Sequence, residues 1–340
     1  MKIVKIETEI KNIALKTPFV TALRQVESVE FVRVKVSCED GAIAFGEAPA
    51  TKAITGEGIE EILYSLESVR EPMLGETPQD ALAFLHEQTI GSSAKAALDM
   101  AFVSLLAQEK GQLLYAYLGA NEPCELQTDS TISLGSEDKM IRDAKEAYRE
   151  GVEILKIKVA KDVAHAVRVI KALRLELPKV KILVDANQAW SLEESLAFIN
   201  AINGVKIELI EQPVVAQDLE SLRFLTKATS INILADEAVF TLEDVKKVHM
   251  QKCADMINIK LMKCGGLSKA VEILDYARAE GIKCMLGSML EGPISINAAL
   301  HLAIAYRDII EFVDLDSPLL YKTPSDELEF LYAGSKIVYL

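Results

Sequence analysis

Five apolar runs, each closed by a charged residue, recur through the middle of this 340-residue chain at intervals of about one β/α unit. ILKIKVA carries Lys156 and Lys158, KILVDAN ends in Asp185, IELIEQP in Glu211, INILADE in Asp236 and MINIKLM in Lys260. The steps from Lys158 onward are 27, 26, 25 and 24 residues. A strand of five or six residues, a helix of ten to twelve and two short loops together occupy roughly 25 residues. The order Lys, Asp, Glu, Asp, Lys therefore reads as five consecutive strand ends of one parallel barrel, with the charged side chains gathered at its C-terminal rim.

The flanking sequence completes the barrel. Strand patterns fall near 127–133, 153–159, 181–185, 207–211, 232–236, 255–260, 283–287 and 311–315, with helical patterns near 137–150, 162–176, 191–203, 217–228, 241–250, 267–280 and 293–306. Ser191 and Thr241 are placed as helix N-caps, and Gly151 and Gly281 as helix stops. Eight strands alternating with seven helices predict a modified (β/α)8 barrel, (β/α)7β, whose last helix is missing or replaced. The first part has a different rhythm. Residues 2–10 alternate, and VESVEFVRVKVSCEDGAIAFGEA reads as a hairpin. Helical patterns near 57–70, 78–88 and 93–110 follow, which predicts an α+β domain. The expected division is an α+β capping domain over 1–120, the barrel over 121–319, and a tail over 320–340 that returns to complete the capping domain.

Three carboxylates converging from adjacent strands suit a hard divalent cation with oxygen ligands, most simply Mg²⁺. Without one, mutual repulsion would keep them from all staying ionised. In KIK, alternation puts Lys156 and Lys158 on one side of a strand. Lysines within so apolar a run must be paired or functional. Lys260 lies four strands later, half the circumference of an eight-stranded barrel, so Lys158 and Lys260 should oppose each other across the metal. Two such bases on opposite faces of one carbon predict 1,1-proton transfer α to a carboxylate: one removes the proton, the other returns it, and the intermediate is an enediolate. In FVDLDSP, Asp314 and Asp316 share a face at the last strand end and suit a cationic group such as a free amine.

Taken together these residues resemble the enolase superfamily and, within it, the muconate-lactonising subgroup, over nearly the whole chain. The motifs that carry the resemblance are KIK, the Asp/Glu/Asp series and NIKLMKCGG. DLD looks like that of the dipeptide epimerases, where such a pair holds the dipeptide's ammonium group. The resemblance implies that Lys158 and Lys260 are the acid/base pair, that Lys156 assists Lys158, and that Asp185, Glu211 and Asp236 hold one Mg²⁺ per subunit. It further implies that Glu237 supports Lys260 and that Thr131 and Ser288 line the substrate pocket. Side-chain preference is expected from capping-domain loops near 15–30 and 45–60. Arg24, in TPFVTALRQ, resembles the arginine that meets the glutamate side chain in L-Ala-D/L-Glu epimerases, a contact suited to a guanidinium. An outward Arg24 would instead suit hydrophobic dipeptides. N-succinylamino acid racemases, o-succinylbenzoate synthases and muconate cycloisomerases share the lysines and metal but have no use for DLD. Acid-sugar dehydratases need a histidine at strand seven, and CMLGSMLEG has none. A non-catalytic metal-binding barrel would not need the lysine pair.

A net charge of −14 argues against nucleic-acid binding. The five cysteines are odd in number and lack CxxC spacing, which suits reduced thiols in the cytoplasm. MKIVKIETEI alternates like a strand rather than a signal sequence, and no apolar stretch reaches a membrane span. A soluble homo-oligomer is expected.

Overall fold

The computed structural model describes residues 1–22 and 24–340; Leu23, inside TPFVTALRQ, lies outside the described residues. Three antiparallel strands open the chain: β1 (Ile3–Val20), β2 (Gln25–Cys38) and β3 (Ile43–Pro49), paired in that order. β1 runs well beyond the expected residues 2–10. Its register against β2 shifts between Ala14 and Phe19, around Pro18, and resumes with Phe19 opposite Val26. A bulge is where a strand tolerates proline, so part of the segment expected as a loop is instead a strand that leads to the hairpin tip bearing Arg24.

Helices α1 (Lys52–Thr55), α2 (Ile59–Met73), α3 (Pro78–Glu87), α4 (Ser92–Glu109) and α5 (Leu114–Tyr117) follow. α4 is the centre of this layer and is buried along nearly its whole length. Gly46 of β3 meets it so closely that a Cβ there would lie 1.8 Å from the Ala97 carbonyl oxygen. This contact draws the helix onto the sheet.

After the short β4 (Leu126–Gln127) come the barrel strands β5 (Ser130–Ile132), β6 (Ile154–Lys158), β7 (Lys181–Asp185), β8 (Leu209–Glu211), β9 (Asn232–Ala235), β10 (Met256–Ile259), β11 (Lys283–Gly287) and β12 (Ile310–Asp314). From β5 to β12 they form one eight-stranded parallel sheet in sequence order. The sheet comes round on itself where Thr128 bridges Val313 in parallel and the Asp129 N–H donates to the Val313 carbonyl at 3.0 Å. The first strand, expected as one run over 127–133, is broken at Thr128 and Asp129 because its two ends pair with different partners. Helices α6 (Glu137–Arg149), α7 (Val163–Glu176), α8 (Leu192–Ala201), α9 (Leu219–Ala228), α10 (Leu242–Gln251), α11 (Leu261–Cys264), α12 (Leu267–Glu280), α13 (Pro293–Ala305) and α14 (Ser317–Leu320) complete the unit. Ser191 and Thr241 cap α8 and α10 through capping boxes, and Gly281 ends α12 in the left-handed conformation. α11, α14 and the short α1 and α5 have too few residues to show a helical period.

One apolar residue from each of β6 to β12 fills the lower barrel: Ile154, Leu183, Leu209, Leu234, Met256, Met285 and Phe312. Alternation then dictates what lies above this layer. With Ile154 inward, Lys156 and Lys158 must also point inward, one and two layers higher.

The tail forms β13 (Phe330–Ala333) and β14 (Lys336–Tyr339), a hairpin that pairs with β4. Residues before it touch the first domain: Tyr321 bridges Leu15, and Glu327 pairs with Arg33 at 2.5 Å. Arg33 also binds buried Glu47 at 2.6 Å, and Glu47 accepts from the Ser295 N–H at 3.1 Å. On the opposite flank, the Asp99 carboxylate of α4 accepts from the Ser268 N–H at 3.1 Å. Gly266 (φ +120°) is required there, since a Cβ would lie 2.4 Å from the Asp99 side chain. The capping layer is thereby seated against the loop that follows Lys260. Among the described residues no helix is long and apolar enough to cross a membrane.

Candidate active site

The charged strand ends meet as their spacing requires. Asp185, Glu211 and Asp236 are fully or almost fully buried at the ends of β7, β8 and β9. Lys156 is the hub of the cluster. Its Nζ lies 2.6 Å from Asp314 Oδ2, 2.7 Å from Glu211 Oε2 and 3.2 Å from Asp185 Oδ2. Burial alone would push this lysine down, but Asp314, Glu211 and Asp185 outweigh it and hold the ammonium well above the usual lysine range. Lys158 Nζ donates to Asp185 Oδ2 at 2.5 Å, and Lys260 Nζ to Asp236 Oδ2 at 2.7 Å. For Lys260 too, burial opposes the charge while Asp236 more than restores it.

The carboxylates differ according to their neighbours. Burial would raise Asp236, but Lys260 and Lys263 outweigh it and hold it far below the ordinary range. Asp185 is likewise held down against burial by Lys158 and Lys156. Burial and the charge of Asp185 push Glu211 up to about 7. Its Oε1 accepts from Asn258 Nδ2 at 2.8 Å. Its Oε2, though ion-paired with Lys156, has no partner in hydrogen-bonding geometry among the described residues. Burial and Asp236 push Glu237 up to about 8. Glu237 Oε1 accepts from Asn187 Nδ2 at 3.3 Å, and among the described residues its Oε2 has no hydrogen-bond partner. Orphaned buried oxygens and raised acids in a cluster of like charges are the marks of a place that fits a cation.

The backbone supports this rim under strain. Asn187 and Gln212, one or two residues beyond Asp185 and Glu211, have positive φ. Asn187 N–H donates to Asp185 Oδ1 at 2.9 Å, while Gln212 Oε1 accepts from the N–H groups of Asp236 at 2.9 Å and Ala238 at 3.1 Å. Left-handed non-glycine residues of this kind persist where surrounding bonds hold them.

A cleft of about 500 Å³, including its open mouth, lies over the rim and is lined by Lys158, Lys260, Thr131, Ser288, Asp314 and Asp316. Arg24, Phe19 and Ile54 border it from the capping domain, with Met289 and Leu290. Asp316 Oδ2 accepts from the Thr131 N–H at 2.6 Å, and the Ser288 N–H donates to the Asp314 carbonyl at 3.0 Å. Burial opposes the charge of Asp314, but Lys156 holds the acid below its usual range; burial and the charge of Asp314 then push Asp316 up to about 6. Arg24 is half-buried, and burial lowers its pKa. Among the described residues no carboxylate pairs with its guanidinium.

The structure thus brings all the residues named from sequence to one cleft or its immediate support. It adds three that sequence reasoning missed. Lys263, thrown back toward the rim by the single turn of α11, donates to Asp236 Oδ1 at 2.5 Å, to the Asp236 carbonyl at 2.6 Å and to the Asn258 carbonyl at 2.8 Å. Asn258 betrays itself as an amide inside MINIK, two residues before Lys260 and therefore on the same inward face. Asp129 forms, with Asp314 and Asp316, a group of three acids in which one oxygen of each lies within 4.8 Å of the others, a closeness no other trio of such groups reaches among the described residues. It stands in a polar stretch at a strand break, where periodicity gives no sign of burial.

The chain is similar to known proteins over nearly its whole length. Residues 4–119 match the mandelate racemase/muconate lactonizing enzyme N-terminal domain, and residues 139–331 match the enolase C-terminal domain-like family. An L-amino acid-D/L-Glu epimerase of Sulfurimonas denitrificans is 59% identical over 99% of each chain. A substrate-liganded L-Ala-D/L-Glu epimerase from Bacillus subtilis superposes with a TM-score of 0.96 at 38% identity, covering 100% of this chain and 97% of the other. A dipeptide epimerase from Enterococcus faecalis, complexed with Mg and L-Leu-L-Tyr, gives 0.93 at 32% identity, covering 100% and 97%. With both domains matched and the barrel-end acids and lysines in place, the chain belongs to the mandelate racemase/muconate lactonizing enzyme family of the enolase superfamily.

Proposed function

We propose that this chain is a Mg²⁺-dependent dipeptide epimerase that inverts the carbon α to the dipeptide's carboxylate, with L-Ala-D/L-Glu as its substrate type. The observation that carries the reading is one cleft lined by Lys158 and Lys260, from strands four positions apart, with Asp314 and Asp316 at its edge. In the proposed assignment Asp185, Glu211 and Asp236 hold the cation; the donor set is all carboxylate oxygen, which suits Mg²⁺. When bound, the cation supplies positive charge to the substrate carboxylate and makes its α-proton easier to remove.

The protein's own groups do the rest. One lysine, as free amine, takes the α-proton on one face; the other, as ammonium, gives a proton to the opposite face. The roles exchange for the reverse reaction. Lys156 adds a fixed positive charge beside the reacting carboxylate, and Lys263 and Asn258 hold Asp236 and Glu211 in place. The substrate ammonium lies against Asp314 and Asp316. These two acids crowd each other enough to raise Asp316, so a cation between them is favourable. Arg24, half-buried without a carboxylate partner among the described residues, faces the side-chain carboxylate of glutamate. That favours an acidic second residue over the hydrophobic one of the alternative reading. The relative at 59% identity, named for L-amino acid-D/L-Glu, points the same way.

The test is incubation in D₂O with Mg²⁺ and L-Ala-L-Glu, followed by NMR. Loss of the glutamyl α-proton signal together with growth of the L-Ala-D-Glu signals is expected. No α-deuteration of this or of any member of a dipeptide library would sink the reading. A homo-oligomer in the cytoplasm is proposed with it, in keeping with five free cysteines; a monomer by light scattering would count against the assembly.

A further inference from the structure

A third acid stands behind the DLD pair. Asp129 occupies the break between β4 and β5, where its backbone closes the barrel against Val313. Its side chain is completely buried and, unlike Asp314 and Asp316, does not line the cleft. Among the described residues neither of its oxygens accepts a hydrogen bond, yet an oxygen of Asp129 lies within 4.8 Å of oxygens of both Asp314 and Asp316. A buried carboxylate with no donor is among the most unfavourable groups a protein interior can contain. A buried carboxylic acid is different, because its O–H can donate to a neighbouring carboxylate. Burial first and the charge of Asp314 second favour that form of Asp129, with the Asp314 carboxylate as its near neighbour. The two cleft-facing acids are tied from other directions as well: Asp314 by Lys156 at 2.6 Å and Asp316 by the Thr131 N–H at 2.6 Å.

We infer that Asp129 is a positioning residue for the ammonium subsite: as a neutral acid it donates to Asp314 and fixes that cleft-facing carboxylate without adding a third negative charge. The inference rests on the epimerase reading, which puts the substrate ammonium on Asp314 and Asp316. A divalent cation held by all three acids is the contrary arrangement. It would require Asp129 ionised, and the Lys156 ammonium already supplies the positive charge next to Asp314.

Two ligands and two variants test this in the Mg²⁺-loaded enzyme. L-Ala-L-Glu carries the amine; N-propionyl-L-Glu is the same molecule without it and serves as a competitive inhibitor. Asp129→Ala is expected to raise KM for L-Ala-L-Glu by roughly tenfold or more, the loss of a charge-assisted hydrogen bond, while Ki for N-propionyl-L-Glu moves by less than about threefold. In Asp129→Asn the amide N–H replaces the acid's O–H, and KM is expected to return to within about threefold of wild type. Equal weakening of both ligands, or no weakening of either, overturns the inference. So does an Asp129→Asn variant whose KM rises by roughly tenfold, since that outcome requires an ionised Asp129. That criterion applies by itself should Asp129→Ala fail to fold. A wild-type enzyme that converts no dipeptide overturns the epimerase reading, and this inference with it; a wild-type enzyme that converts L-Ala-L-Glu leaves the Asp129 variants to decide this inference alone.

Discussion

Lys158 and Lys260 border a single cleft from strands four positions apart in an eight-stranded barrel, each bonded to the carboxylate of a different strand end. Lys158 reaches Asp185 and Lys260 reaches Asp236, so each ammonium is held beside one member of the acid trio rather than loose in the cleft. That arrangement gives a substrate carbon two bases on opposite faces and anchors both to the proposed metal site.

Removing either lysine should separate the two halves of the reaction. We expect Lys158→Ala and Lys260→Ala each to lower the epimerisation rate on the order of 10²–10⁴-fold, the usual contribution of a positioned acid or base. Each variant should still exchange the α-proton of one epimer, a different one in each case. Stereospecific exchange followed by NMR in D₂O reads this directly. Full two-way activity in either variant would exclude the two-base mechanism.

Chelation addresses the acids. EDTA should abolish activity and lower the unfolding temperature, and added Mg²⁺ should restore both. A cation at a hundred times its dissociation constant stabilises the native state by about 2.7 kcal/mol. Asp185→Ala and Asp236→Ala should lose the Mg²⁺-dependent shift seen by calorimetry. A shift that survives in both would move the metal elsewhere.

Specificity should turn on Arg24. A charge-assisted hydrogen bond contributes about 1.5–3 kcal/mol. Arg24→Ala is therefore expected to reduce kcat/KM for L-Ala-L-Glu by roughly 10- to 100-fold, with little change for L-Ala-L-Ala. Equal losses on the two substrates would remove Arg24 from side-chain recognition.

Glu291 carries a pH-dependent stability signal. It is buried, and burial pushes its carboxyl up to about 7 despite hydrogen bonds from Ser295 and the Met289 N–H. An acid that holds its proton more tightly when folded stabilises the native state at low pH, and that contribution is lost as pH rises from its unfolded to its folded pKa. Between pH 4.5 and 7 this group should take on the order of 3 kcal/mol from the unfolding free energy. Glu291→Gln should flatten that part of the curve, and urea melts at several pH values measure it. An unchanged slope would exclude a titrating Glu291.

The barrel and its charged rim were legible because they rest on short-range rules. A period near 25 residues marks β/α units, and alternation along ILKIK sends both lysines inward once Ile154 is assigned to the apolar layer. The split first strand was not legible. Its two pieces differ in the segment they pair with, β4 with the tail hairpin and β5 with β6, while the break between them bridges β12; the sequence around Thr128 and Asp129 carries no mark of that choice. β1 was read too short: regular pairing runs on through Ala14, and the bulge around Pro18 then hides its return at Phe19.

The sequence by itself therefore determined which chemical groups stand at the strand ends and in what order around the barrel, since the period and the alternation leave little freedom. Only the tertiary structure decided how those groups share their charges: Lys156 linking three acids, Lys263 folded back onto Asp236, and Asp129 sealed behind Asp314. These relationships join residues far apart in the chain. Their strength depends on distance and burial, which no local pattern encodes.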